Sequence, residues 1–160
     1  MYEVEVKALL KDRAMVIKKL EEMGCYFGSE LHQVDSIFIP NGVSFPPPLS
    51  VPVLRVRKQN DKYFFTLKIS QSNRQDCIEH ELEISDGDKM LEIMSLINYK
   101  KVPTVDKKQI KTKHKDIEIV IDIVDGLGEF IEVERIVDNN RLDRVSSLTA
   151  IIGYLQPVCA

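Results

Sequence analysis

In eight stretches of this chain the side chains alternate with period two, and in six of them one of the two alternating sets is largely ionic and the other apolar. Successive side chains of a strand point to opposite faces, so each stretch reads as a strand, and those six as strands with one ionic and one apolar face. The alternation predicts strands at Tyr2–Leu9, His32–Ile39, Val53–Lys58, Tyr63–Ser70, Cys77–Ile84, Lys101–Lys111, Ile117–Val124 and Glu129–Val137. Glu3, Glu5 and Lys7 share a face opposite Val4 and Val6, and Arg55 and Arg57 oppose Leu54 and Val56. Thr66 and Lys68 oppose Phe65, Leu67 and Ile69, while Glu79, Glu81 and Glu83 oppose Ile78, Leu82 and Ile84. Asp122 lies opposite Ile121 and Ile123, and Glu132 and Glu134 lie opposite Ile131 and Val133.

A half-buried sheet with a solvated outer face also alternates. An ordinary solvent face mixes Lys, Thr, Ser, Gln and Glu, whereas these positions are nearly all ionic. Three helices supply the apolar partners. Asp12 can cap one over Arg13–Met23, with Gly24 past its end and Val16, Ile17, Leu20 and Met23 as its stripe. Ser85 can cap a second over about Asp88–Ile97, carrying Met90, Ile93, Met94 and Ile97. A third spans Asn140–Leu155, with Leu142, Val145, Leu148 and Ile152 on one side. If helices cover the apolar faces, the ionic faces turn toward each other, and eight strands can close a barrel that just holds one small ligand. Like charges about 4 Å apart repel by roughly 4 kcal/mol at an effective dielectric near 20. Clustered carboxylates therefore need protons, basic partners or a metal, and an all-oxygen set selects hard cations such as Mg²⁺, Mn²⁺ or Ca²⁺. Arg and Lys are phosphate clamps. Carboxylates with a metal on one side and bases on the other describe a polyphosphate or nucleotide site, where metal-assisted attack on phosphorus can proceed.

The remaining composition narrows the class. At 160 residues one domain, 1–160, is expected. The formal charge of −3 argues against a general nucleic-acid binder. No apolar run is long enough to span a bilayer, and Met1–Leu10 lacks the apolar core of a signal peptide. Cys25, Cys77 and Cys159 are dispersed, which excludes a zinc ribbon and fits a cytoplasmic chain. Pro40–Pro52 reads as an extended loop, and Gly126-Leu127-Gly128 as a turn between strands. His32, His80 and His114 are scattered and read as structural or surface groups.

The ordered set of motifs resembles the CYTH domain superfamily, the triphosphate tunnel metalloenzymes, which includes class IV adenylate cyclase and thiamine triphosphatase. Glu3-Val4-Glu5-Val6-Lys7 resembles its opening E-x-E-x-K strand. Gln33-x-Asp35 with Phe38, Leu54-Arg55-Val56-Arg57, Phe65-Thr66-Leu67-Lys68, Glu79-x-Glu81 and Val105-x-Lys107 resemble the strands that follow. Asp122 and then Gly126-Leu127-Gly128-Glu129-Phe130-Ile131-Glu132-Val133-Glu134 resemble its D-x-x-x-G-L-G-x-F-x-E-x-E signature. The match runs from Met1 to about Val137 and is greatest to the class IV adenylate cyclase-like branch. The resemblance implies an α+β fold: a closed eight-stranded antiparallel β-barrel, a tunnel with a charged interior, with helices packed outside. It implies a triphosphate in the tunnel and Mg²⁺ or Mn²⁺ as cofactor. Glu3, Glu5, Asp122, Glu132 and Glu134 would hold metal. Lys7, Arg55, Arg57, Lys68 and Lys107 would grip phosphate oxygens, and Glu81 would order the basic residues or a second metal. Glu5, Lys7 and Lys68 would be catalytic.

Two positions depart from the family's pattern. Gln109 stands where its K-x-R strand has arginine, with Lys111 two residues on along the same face; Cys77 stands where some members carry arginine, with Arg74 nearby. Three functions follow: a triphosphatase acting on tripolyphosphate or an organic triphosphate, an adenylate cyclase making cyclic AMP and pyrophosphate, or a triphosphate-binding module without turnover, which Gln109 motivates. The expected partner is a small-molecule triphosphate, with no nucleic acid and no membrane, and a homodimer is allowed.

Overall fold

The computed structural model of the chain describes residues 2–74, 76–137 and 142–156. In chain order the elements are β1 (Tyr2–Leu9), α1 (Arg13–Glu22), β2 (Leu31–Pro40), β3 (Val53–Gln59), β4 (Lys62–Ser70) and β5 (Asp76–Ile84). They continue with α2 (Gly87–Leu96), β6 (Tyr99–Lys101), β7 (Val105–His114), β8 (Ile117–Val124), β9 (Gly128–Val137) and α3 (Leu142–Leu155). The fold is α+β. Its strands hydrogen-bond in the order β3-β4-β5-β1-β9-β8-β7-β2, and β2 pairs in turn with β3, which closes an eight-stranded antiparallel β-barrel; β6 adds to β2.

The predicted Lys101–Lys111 strand divides in two. Pro103 follows β6 and has no N–H to offer a ladder, while the Val102 N–H donates to the Ile37 carbonyl at 2.9 Å. Pro40 closes β2 opposite Tyr99, and residues 41–52 form the expected loop. The turn between β8 and β9 uses φ of +74° at Gly126 and +111° at Gly128, values that glycine tolerates.

The chain falls into two compact units, residues 1–31 with 108–160 and residues 32–107. In the first, Val4, Val6, Ile119, Ile121, Ile131 and Val133 form one apolar face of β1, β8 and β9. Val16 and Leu20 of α1 and Leu148, Ile152 and Leu155 of α3 join that core. Asp12 caps α1 as expected, accepting from the Met15 N–H at 2.9 Å, and Gly24 follows the helix at φ +83°. In the second unit, Phe38, Leu54 and Val56 pack with Met94 of α2. Asp86, not the predicted Ser85, caps α2 and accepts from the Lys89 N–H at 2.8 Å. Both residue types cap well, but Asp also places a negative charge at the positive end of the helix. The expected helix start at Asn140, the side chains of Leu142 and Val145, and Cys159 lie outside the described residues.

Candidate metal and phosphate sites

In each unit the helices take the apolar faces, and the charged side chains project from the other side of the same strands. In the first unit the register sets Glu5 opposite Glu134 and Lys7 opposite Glu132 across β1 and β9, and Glu134 opposite Glu118 across β9 and β8. One carboxylate oxygen each from Glu3, Glu5 and Glu134 lies within 4.8 Å of the others. Burial, reinforced by the charges of Glu3, Glu118 and Glu132, pushes Glu134 up to about 8. Three converging carboxylates, one of which holds its proton at neutral pH, form an oxygen donor set that fits a hard divalent cation.

The other two expected ligands are engaged differently. The Lys7 ammonium donates to Glu132 Oε2 at 3.0 Å and to Asp122 Oδ2 at 3.5 Å. Burial pulls the Lys7 pKa down, but Glu132, Asp122 and Glu5 outweigh it and leave it raised. Asp122 is buried, and its Oδ1 accepts from Gln109 Nε2 at 2.8 Å. Lys111, on the same strand as Gln109, pairs with Glu118 at 2.7 Å.

The second unit gathers cations. Arg57 donates through Nε and Nη2 to the two oxygens of Asp35, at 2.7 and 2.8 Å. Burial alone would raise Asp35, but these bonds and the charges of Arg57, Arg55 and Lys107 hold its carboxyl below the usual value. Arg55 lies opposite Thr66, and Thr66 opposite Glu81. Arg55 Nη2 donates to Thr66 Oγ1 and Glu81 Oε2, both at 3.1 Å, and the Thr66 hydroxyl donates to Glu81 at 3.0 Å. Lys68 pairs with Glu79 at 3.3 Å. Arg55, Thr66 and Lys68 line a cavity of about 140 Å³ with Ile37 and Val53.

The structure thus brings Glu3, Glu5 and Glu134 into one group, and Arg55, Lys68 and Glu81 into another network, with Arg57 and Lys107 set around Asp35. Sequence reasoning gave no role to Glu118, Thr66 or Asp35. Glu118 shares the parity of Asp122, but Val120 and Val124 on the same face of β8 break the ionic pattern. Away from these groups, His32 pairs with Asp106 at 2.7 Å and His114 Nδ1 lies 3.6 Å from the Cys25 thiol. No helix among the described residues is long and apolar enough to cross a membrane.

The family model described as the CYTH domain matches residues 1–146. A protein of Methanocaldococcus jannaschii named "Putative adenylate cyclase" is 34% identical over 148 residues, covering 91% of this chain and 83% of its own. Among solved structures, a Pyrococcus horikoshii protein superposes with a TM-score of 0.79 at 24% identity, over 96% of this chain and 88% of that one. A Hippeastrum protein, described as a "Putative adenylyl cyclase" with a dominant triphosphatase activity, superposes with a TM-score of 0.61 at 15% identity, over 96% and 86%.

Proposed function

This chain belongs to the CYTH domain family, and we propose on that footing that it is a divalent-metal-dependent enzyme hydrolysing tripolyphosphate or an organic triphosphate. We take residues 1–160 as one CYTH-like domain and place it in the cytoplasm, a reading supported by Cys25 and Cys77 being buried thiols and not disulfides. The observation that carries the reading is chemical complementarity within one chain: a carboxylate trio with ligand atoms within 4.8 Å, and an Arg–Lys cavity of the size of a phosphate group or two.

Glu3, Glu5 and Glu134 would hold Mg²⁺ or Mn²⁺, which when bound polarises phosphoryl oxygens and acidifies water. Arg55, Arg57, Lys68 and Lys107 neutralise the phosphate oxygens. Thr66 and Glu81 aim Arg55, and Glu79 aims Lys68. Water attacks the terminal phosphorus. A new P–O bond forms as the bond to the bridging oxygen breaks, that oxygen carries the electron pair away on the departing diphosphate, and the proton lost by the water passes to a phosphate oxygen. Lys68, paired with Glu79, stabilises the charge that builds on the phosphate oxygens in this step.

An adenylate cyclase is the second reading, favoured by the name of the Methanocaldococcus relative. There the ribose 3′-oxygen attacks the α-phosphorus and pyrophosphate leaves. The triphosphatase activity described for the Hippeastrum protein supports the first. Both are tested in one experiment. Purified protein with Mg²⁺ or Mn²⁺ receives tripolyphosphate and ATP in parallel, and the products are resolved by ion exchange. Phosphate from tripolyphosphate without cyclic AMP is the expected result. Cyclic AMP with equal pyrophosphate establishes the cyclase, and no product from either substrate supports the binding module.

A further inference from the structure

We propose that the first unit carries a second ligand site, apart from the carboxylate trio: an apolar cavity between α3 and β8, flanked by basic side chains, that takes a medium-chain aliphatic carboxylate. The cavity measures about 380 Å³, and every residue that lines it belongs to residues 1–31 with 108–160. Small-molecule sites usually span roughly 300–1,000 Å³. Its apolar lining comes from Met23 after α1, Ile117 and Ile119 of β8, and Ala150 and Ile151 of α3. Ile117 and Ile119 lie on the face of β8 opposite Glu118, and Arg135 on the face of β9 opposite Glu134. The cavity therefore backs onto the strands that carry the carboxylates and does not share their face.

Basic groups collect around this apolar surface. His114, Lys115 and Arg135 line the cavity with Tyr154. Lys19 of α1 donates to the Tyr154 carbonyl at 3.1 Å, and its ammonium sits 5.5 Å from the centre of the Tyr154 ring. Asp116, an exposed residue, accepts from Arg135 Nη2 at 3.0 Å. Arg135 keeps a donor in reserve: its Nε is buried and has no hydrogen-bond partner among the described residues. A buried N–H without an acceptor is costly, and more so on a charged group. A carboxylate oxygen beside Arg135 supplies the acceptor, while an aliphatic chain covers the isoleucines. A polyphosphate would set its charges against Ile117, Ile119 and Ile151, where nothing repays their desolvation. A neutral alcohol of the same length fills the cavity but gives the guanidinium no opposite charge. Lining and flanking charge together select one anionic head on an apolar body.

The test is calorimetric titration of wild type, Arg135→Gln and Ala150→Trp with octanoate and with octan-1-ol, each variant shown to be folded by thermal melting. Wild type is expected to bind octanoate with a Kd below about 1 mM, and octanol at least about tenfold more weakly. Arg135→Gln is expected to weaken octanoate about tenfold or more and to leave octanol within about twofold of wild type. Ala150 is an exposed residue of α3 that lines the cavity, so an indole there can fill the space without displacing the core, and Ala150→Trp is expected to abolish binding of both. Saturating tripolyphosphate in EDTA is expected to leave octanoate affinity within about twofold, since the two ligands occupy different faces. Absence of octanoate binding by wild type up to about 5 mM overturns the inference. Equal affinity for octanoate and octanol overturns it too, because the basic groups then recognise nothing. Octanoate binding retained in Ala150→Trp, or lost when tripolyphosphate is present, places the acid elsewhere and also overturns it. Should Arg135→Gln not fold, the comparison of octanoate with octanol in wild type, together with Ala150→Trp, decides.

Discussion

Glu134 carries two carboxylates opposite it, Glu5 on β1 and Glu118 on β8, and its own charge is the one the cluster gives up. With burial and the charges of Glu3, Glu118 and Glu132 pushing its pKa up to about 8, it stays protonated in the metal-free folded protein where the unfolded chain would be ionised. Its contribution to stability is full below about pH 4.5 and is lost as the pH rises through about 8. A cation must displace that proton, so Mn²⁺ affinity should climb about tenfold per unit between pH 6.5 and 8, and flatten above. Calorimetric titration across that range checks it, and a flat profile removes Glu134 from the ligand set. Glu134→Gln should raise the melting temperature of the metal-free protein at pH 8.5 by about 3 °C. Asp35 is the opposite case. Its lowered pKa stabilises the fold above the ordinary carboxylate value of 3.8, and this stability is lost as the pH falls through the lower, folded-state value. Asp35→Asn takes the bidentate partner from a mostly buried arginine and should cost about 3 kcal/mol, or about 6–12 °C by thermal melting. Alternation made the shared face of Glu3, Glu5 and Glu134 readable, because it depends only on parity along each strand. Which carboxylates stand opposite one another depends on the pairing of β1 with a strand more than 120 residues away, and no local pattern holds that information.

At the scale of elements, the strands and helices follow from local chemistry, and the differences arise where two local signals compete. Ser85 and Asp86 are adjacent capping residues, and the register of the helix decided between them. Pro103 stood inside an alternating run, and its missing N–H ended the ladder. One constraint at the start of α2 was invisible to pattern. Gly87 packs against the Tyr63 ring of β4, and a Cβ at that position would overlap the ring near its base. The ring cannot swing aside as a side-chain tip could, so either the helix start or β4 must shift. Overpacking of this kind costs about 1–3 kcal/mol. Gly87→Ala should therefore lower the melting temperature by about 2–12 °C. Gly153 of α3, whose Cβ would meet open space, is the control: Gly153→Ala should leave the melt unchanged or raise it slightly. Equal effects at the two positions would mean that helix propensity, not the Tyr63 contact, governs Gly87.

For the whole molecule, the sorting of charge by strand becomes a sorting by unit: the carboxylate trio belongs to residues 1–31 with 108–160, and the Arg55–Lys68 cavity to residues 32–107. If both serve one reaction, damage to either should stop turnover, while each spares the other's ligand. The Glu3→Gln, Glu5→Gln double variant relieves carboxylate repulsion, so it should fold, lose Mn²⁺-dependent tripolyphosphate hydrolysis, and still bind tripolyphosphate in EDTA at least as well as wild type. Arg55→Ala should do the reverse. Loss of a charge-assisted contact, about 1.5–3 kcal/mol, predicts tripolyphosphate binding weaker by about 10–150-fold with Mn²⁺ affinity nearly unchanged. Lys115→Ala discriminates between a site and a field. Lys115 is an exposed cation in the turn between β7 and β8, at φ +56°. Its removal changes the net charge as much as Arg55→Ala does. If tripolyphosphate were drawn only by overall charge, the two variants would weaken binding equally, and both losses would fade in high salt. A built phosphate site requires instead that Lys115→Ala stay within about twofold of wild type, and that the Arg55→Ala deficit persist at high ionic strength, because Arg55 is largely shielded from solvent ions by its neighbours. Equal losses in the two variants would separate the cation cluster from any substrate role and leave the carboxylate trio as the sole candidate site.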